Sequence, residues 1–243
     1  RMRFSNGCWL NKTGLEVSHP KDVYEFVQKE NSVEVLVPCC EITSRGATLG
    51  GPVLTYEISA PLKDVLKVRI SHYKGTLDKG PHFDVHNENL PIDVEGKRGR
   101  VTVKNGDLCL DMSTENGFEM TFTRKGKKLT SSKGKSAAYI KAHDTEFLNE
   151  NVASAYMKEE LSLSVGELIY GLGERFTPFI KNGQTVETWN SDGGTSTDQS
   201  YKSIPFYMSN RGYGVFVNHP ENVSFEVGSE KVTRVQFSVP GQA

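Results

Sequence analysis

Between Tyr170 and Tyr213 the chain gathers glycines, hydroxyls, carboxylates and aromatics more densely than anywhere else. Within that stretch, Trp189, Asn190, Ser191, Asp192, Gly193, Gly194 and Thr195 are residue types suited to recognising a sugar. An indole face stacks on the C–H face of a pyranose. Asn and Asp side chains bond neighbouring hydroxyls in pairs, and a carboxylate acceptor makes the stronger, charge-assisted bond. Glycines let backbone approach a ligand closely. The same residues also suit an ordinary polar loop, with Asp192 bonding its own backbone as turn aspartates do and Trp189 anchored in the core. Composition leaves these readings open.

Other chemistries are less well supplied. Gly171 and Gly173 resemble part of a phosphate cradle, but a dinucleotide fingerprint needs a third glycine and a following helix. Phe176 stands at the third position and Pro178 follows, so the pair reads as tight packing of backbone on backbone. Ser191, Ser196 and Ser200 have no nucleophile-elbow context. Glu159 and Glu160 sit in a segment that reads as exposed, and no poised pair of carboxylates can be assembled. His82 and His86 are four apart, but Pro81 and the setting read as loop, so no metal site is expected. Cys8, Cys39, Cys40 and Cys109 lack zinc-ligand spacing and read as reduced thiols of a cytosolic protein. No cofactor is expected.

The elements that must carry the stretch alternate apolar and polar residues with period two. Val33 to Val37, Leu54 to Ile58, Leu66 to Ile70, Val101 to Val103, Leu108 to Met112 and Phe118 to Phe122 each place one face in a core and one in water. Asn105 and Gly106 between two such runs predict a hairpin. Leu129 to Ser136 is polar and basic and reads as a loop. Alternation returns at Leu161 to Val165, Leu168 to Tyr170, Val215 to Val217, Val223 to Val227 and Val235 to Val239. A short turn of helix is expected near Asp144 to Asn149. Many short strands at turn-sized intervals predict an all-β fold, one large antiparallel β-sandwich of two sheets.

The 243 residues carry a net charge of -1, which argues against a nucleic-acid binder. No apolar run approaches the roughly 20 residues of a membrane helix. No secretion leader is expected from its opening residues. Arg1 before Met2 reads as an added residue.

The central stretch also carries a resemblance. Tyr170 to Phe176, Asn182 to Asn190 and Asp192 to Thr197 closely resemble the N-terminal domain of bacterial α-xylosidases, in family 31 of the glycoside hydrolases. Ile204 to Met208, Asn210 to Val215, Val217 to Pro220 and Val223 to Val232 continue the likeness, which is looser before Ser164. The resemblance implies a galactose-mutarotase-like sandwich over residues 1–239. Residues 240–243 would begin a linker to a (β/α)8 barrel that holds both catalytic carboxylates of a retaining mechanism, so this chain would have no catalysis alone. It implies a loop reaching over the barrel mouth, with Asp192 bonding sugar, Thr195 as the nearest second contact, and Asn190 and Trp189 beside them. The implied partners are the chain's own C-terminal barrel and α-xylosides or related oligosaccharides, with a homo-oligomer left open. The alternatives are the same domain of an α-glucosidase, a stand-alone carbohydrate-binding module, and, from fold alone, an aldose-epimerase-like enzyme.

Overall fold

The computed structural model describes residues 2–5, 10–73, 75, 81–143, 154–190 and 200–243. The described residues form twenty strands and a single 3-10 turn, Arg45–Leu49. In chain order the strands are β1 (Leu15–Ser18), β2 (Glu25–Gln28), β3 (Ser32–Pro38), β4 (Val53–Ser59), β5 (Lys67–Ser71), β6 (Asp93–Lys97) and β7 (Arg100–Asn105). Next come β8 (Leu108–Ser113), β9 (Glu119–Arg124), β10 (Lys127–Lys133), β11 (Ala138–Ala142), β12 (Ala155–Ser162) and β13 (Ile169–Gly171). The last are β14 (Glu174–Arg175), β15 (Gln184–Glu187), β16 (Ser200–Lys202), β17 (Phe206–Ser209), β18 (Tyr213–Phe216), β19 (Ser224–Val227) and β20 (Arg234–Pro240).

The all-β expectation holds, and every strand pairing within the sheets is antiparallel. The strands fall into five hydrogen-bonded sheets, not two: β1-β11-β12-β20-β19-β15, β10-β9-β8-β7-β6, β2-β3-β4-β5, β13-β17-β18 and β14-β16. The reason is physical. Alternation says that a strand has one wet face, not which strands share a ladder. One core cluster joins four of these sheets through Val35 and Tyr56, Leu110 and Met120, Met157 and Phe225, and Ile169 and Tyr207. Each fully buried aliphatic side chain among them contributes about 1.5–3 kcal/mol relative to exposure. The hairpin at Asn105 and Gly106 is present between β7 and β8, with Gly106 at φ 60°.

Three sequence readings need correction or fall outside the description. Leu129 to Ser136 is no loop along its first half, which is β10, paired with β9. Its hydroxyls are buried rather than solvated: Thr130 Oγ1 donates to Ser162 O at 3.0 Å, and Ser132 Oγ to Glu159 Oε1 at 2.6 Å. Glu159 and Glu160 are not exposed either, since β12 is covered on both faces. Glu160 Oε1 accepts from Lys158 Nζ at 2.8 Å and Lys231 Nζ at 2.6 Å, so paired charge replaces water there. The outer face of β11 and β12 is covered by a second cluster, Phe4 against Ala138, Ile140 and Tyr156. The helical turn expected at Asp144 to Asn149 lies outside the described residues.

Candidate functional site

The central stretch is built on three consecutive left-handed residues, Gly171 (φ 108°), Leu172 (φ 65°) and Gly173 (φ 92°). Leu172 tolerates this because its side chain is wholly buried in the core and its N–H donates to Phe206 O at 2.8 Å. A Cβ on Gly171 would stand 2.7 Å from Phe206 O, and one on Gly173 would fall on Lys202 O. The reading of this motif as backbone packed on backbone is therefore correct. Its glycines pack the chain closely against residues 202–207.

From this base Arg175 ties the region together. Its Nε donates to Leu172 O at 2.8 Å, and its Nη2 donates to Glu187 O at 2.7 Å and Ser203 Oγ at 3.0 Å. Asn190 Oδ1 accepts from Ser203 N–H at 2.7 Å. Ser200 Oγ donates to Glu174 O at 2.8 Å. On the other side, Thr188 exchanges bonds with Val223: its N–H donates to Val223 O at 3.0 Å and its Oγ1 accepts from Val223 N–H at 2.9 Å. Lys181 is buried nearby, donating to Thr177 Oγ1 and Pro178 O. Burial, and then the charge of Arg175, lowers its pKa from the ordinary lysine value.

Of the four sequence-nominated residues, two are described. Trp189 is 66% exposed, so it is no core anchor. Asn190 closes the segment through its bond to Ser203 rather than facing outward with its oxygen free. Asp192 and Thr195 lie outside the described residues. The stretch carries further exposed rings: Phe176 and Tyr201 pack edge to face at 5.5 Å, and both are exposed. Flat apolar faces beside backbone polar groups can stack a ligand ring.

Next to this lies an unusual sheet face. In β13-β17-β18 the buried side carries Ile169, Tyr207 and Ser209. The outward side carries Tyr170, Phe206, Met208, Gly214 and Phe216, paired as Tyr170↔Met208, Met208↔Gly214 and Phe206↔Phe216. Met208 is 50% exposed. Phe83 leans on Phe216 at 5.6 Å, and Phe179 on Tyr170 at 5.2 Å. Underneath, buried Glu167 accepts from Ser209 Oγ and Tyr213 Oη, each at 2.6 Å, and from Ser164 N–H at 2.8 Å. Burial, reinforced by that carboxylate, pushes the Tyr213 hydroxyl pKa well above its ordinary value.

Sequence reasoning missed Arg175 and Glu167. Each works through contacts from separate parts of the chain, which no local spacing reveals. Among the described residues no three His, Cys, Asp or Glu side chains group as metal ligands. Cys39, Cys40 and Cys109 are free thiols, and burial pushes Cys39 up to about 12.

Residues 55–226 match the family described as the glycosyl hydrolase 31 N-terminal galactose mutarotase-like domain. The chain belongs to this family. Within it, the chain is 43% identical over 242 residues to the α-xylosidase XylQ of Lactiplantibacillus pentosus, covering 100% of this chain and 31% of that protein. It is 38% identical over 254 residues to an α-xylosidase of Emericella nidulans, covering 99% of this chain and 32% of that one. The chain thus spans about a third of the length of these relatives. Among solved structures, the cycloalternan-forming enzyme from Listeria monocytogenes with a pentasaccharide substrate superposes with a TM-score of 0.73 at 20% identity, over 93% of this chain and 20% of that one. That likeness is one of fold. No helix among the described residues is long and apolar enough to cross a membrane.

Proposed function

We propose that this chain is the N-terminal domain of a retaining α-xylosidase that removes terminal α-xylosyl residues. In this reading residues 1–239 form a sandwich of the galactose-mutarotase kind, and 240–243 begin the linker to a (β/α)8 catalytic barrel. The domain braces that barrel and supplies one wall of the sugar site from the segment 187–203. Asp192 accepts from sugar hydroxyls, with Thr195, Asn190 and Trp189 beside it, and the chain alone performs no catalysis. A cytoplasmic setting fits its thiols.

The observation that carries the proposal is the outward face of β13-β17-β18. A water-facing sheet side normally alternates to polar residues; here Tyr170, Phe206, Met208 and Phe216 share it. Such a face fits a partner domain packed against it. Two relatives named as α-xylosidases, matching the chain from end to end, support xylosides over other glycosides. The same domain of an α-glucosidase is the runner-up.

The test compares kcat/KM on an aryl α-xyloside for the full-length enzyme and its Asp192→Ala variant. A loss of about tenfold, equivalent to roughly 1.4 kcal/mol of transition-state stabilisation, is expected with the fold intact. An unchanged value would leave the domain as a brace only. A second reading, a stand-alone carbohydrate-binding module, is favoured by the exposed rings of Trp189, Phe176 and Tyr201. Calorimetric binding of xylosides by the 243-residue chain would support it, and silence at high ligand concentration would remove it.

A further inference from the structure

The dipeptide Asn-Gly occurs four times, at 6–7, 105–106, 116–117 and 182–183. It is the setting in which an asparagine most readily loses its side-chain amide. The backbone nitrogen that follows attacks Asn Cγ, and glycine puts no Cβ in the way. Whether the attack occurs depends on what holds the two groups. Residues 6–7 lie outside the described residues, and the fold treats the other three pairs differently.

Asn105 is buried, and its Nδ2 donates to Leu62 O and Val65 O, both at 2.7 Å. The turn beside it is clasped as well. Asp107 N–H donates to Asp64 Oδ1 at 2.7 Å, and a Cβ on Gly106 would fall on that carboxylate. Asn182 is tied at both ends of its amide: Oδ1 accepts from Ile169 N–H and Nδ2 donates to Glu167 O, each at 2.9 Å. The attacking nitrogen is engaged there too, since Gly183 N–H donates to Val227 O at 2.6 Å. Asn116 has neither restraint. It is exposed in the link between β8 and β9, and its side chain makes no hydrogen bond among the described residues. Gly117 is exposed, with nothing within 4 Å of an added Cβ, so a cyclic imide has room to form.

We propose that Asn116 is a site of spontaneous covalent modification, at which the Gly117 nitrogen displaces the side-chain amide. The bond from Gly117 N to Asn116 Cγ forms, the Cγ–Nδ2 bond breaks, and ammonia leaves with the proton of Gly117 N–H. Water then opens the cyclic imide at either carbonyl, giving aspartate or isoaspartate. Either product adds a carboxylate to the groove lined by Arg100, Asp111, Glu115 and Glu119, where Arg100 Nη2 already meets Asp111 Oδ2 at 3.0 Å. Isoaspartate also lengthens the main chain of the β8–β9 link by a methylene. The same dipeptide at 105–106 and 182–183 is spared by the bonds that hold it.

The test incubates the 243-residue chain at mildly alkaline pH, below its melting temperature. Each Asn-Gly peptide is followed by mass spectrometry, with an isoaspartate-specific methyl-transfer assay for the second product. The acid forms are expected to accumulate at 116 at least about tenfold faster than at 105 or 182, because those two must first open locally. In urea, with the protection of the fold removed, the three rates are expected to agree within about threefold. Gly117→Ala is expected to slow the loss at 116 by about tenfold, because a Cβ hinders the attacking nitrogen, and to leave 105 and 182 unchanged. Equal native rates at the three pairs, or a faster rate at 105 or 182, overturn the proposal. A native spread that persists in urea overturns it as well, since neighbouring sequence and not the fold would then set the rates. Gly117→Ala without effect at 116 overturns the cyclic-imide route.

Discussion

Gly173 lies so close to Lys202 that a side chain at Gly173 would occupy the position of the Lys202 carbonyl oxygen. Its φ of 92° adds a second obstacle to any residue with a Cβ. Gly173→Ala is therefore expected to destabilise the domain by roughly 2–4 kcal/mol, combining a left-handed backbone penalty with the displacement of a neighbouring strand. Gly166 supplies the control: its φ is 75°, but nothing lies within 4 Å of an added Cβ. Gly166→Ala is expected to cost only about 1 kcal/mol. Urea unfolding of both variants checks the pair, and equal losses would remove the close-packing argument.

A buried carboxyl makes a pH prediction. Burial, the dominant cause, pushes Glu159 up to about 7 despite hydrogen bonds from Ser132 Oγ and Glu160 N–H. Its Oε2 has no hydrogen-bond partner among the described residues. The folded state thus holds this proton more tightly than the unfolded chain, whose ordinary value is 4.5. The resulting stability is fully present below about pH 4.5 and is lost as pH rises through about 7, on the order of 3 kcal/mol in all. Glu159→Gln keeps the shape without the titration. Melting temperatures across pH 5 to 8 should slope downward in the native chain and flatten in the variant; parallel curves would rule Glu159 out as the cause.

Two tyrosines separate satisfied from unsatisfied hydroxyls. Tyr213 Oη donates to Glu167, whereas Tyr207 Oη, fully buried one strand away, has no hydrogen-bond partner among the described residues. Removing a bond to a buried charged acceptor costs about 1.5–3 kcal/mol, while removing an unpartnered hydroxyl is near neutral or stabilising. Tyr213→Phe should accordingly lower stability and Tyr207→Phe should not, by chemical denaturation. The reverse order would mean that Tyr207 is the bonded one.

These positions also show what a sequence can disclose. The β7–β8 hairpin was legible because Gly106 readily takes the positive φ that the turn requires, and strands such as β4 were legible because Leu54, Tyr56 and Ile58 alternate with less buried residues on the other face. In β12, covered on both faces, Lys158, Glu159 and Glu160 mimic a wet segment, and β11 shows the same failure with Ala138, Tyr139 and Ile140 all buried. The loop carrying Trp189 announced itself by composition. Its clamp did not, because Arg175 meets Glu187 and Ser203 only once the chain has folded.

The apolar face of β13-β17-β18 makes the last prediction. Met208 stands between Tyr170 and Gly214 on the outward side, so a charge there meets water in the 243-residue chain and buries no polar group. Met208→Glu should change the stability of that chain by less than about 0.5 kcal/mol, as exposed substitutions do. It should also reduce any self-association, because the apolar face would no longer be continuous. Under the proposed docking of the barrel on this face, the same change in the full-length enzyme would bury a carboxylate there, and an unpaired buried charge costs several kcal/mol. The comparison to make is therefore the melting temperature of Met208→Glu in both forms, with sedimentation velocity for the shorter one. A drop confined to the full-length enzyme would mark this face as the contact with the barrel. Equal small changes in both would place that contact on another face.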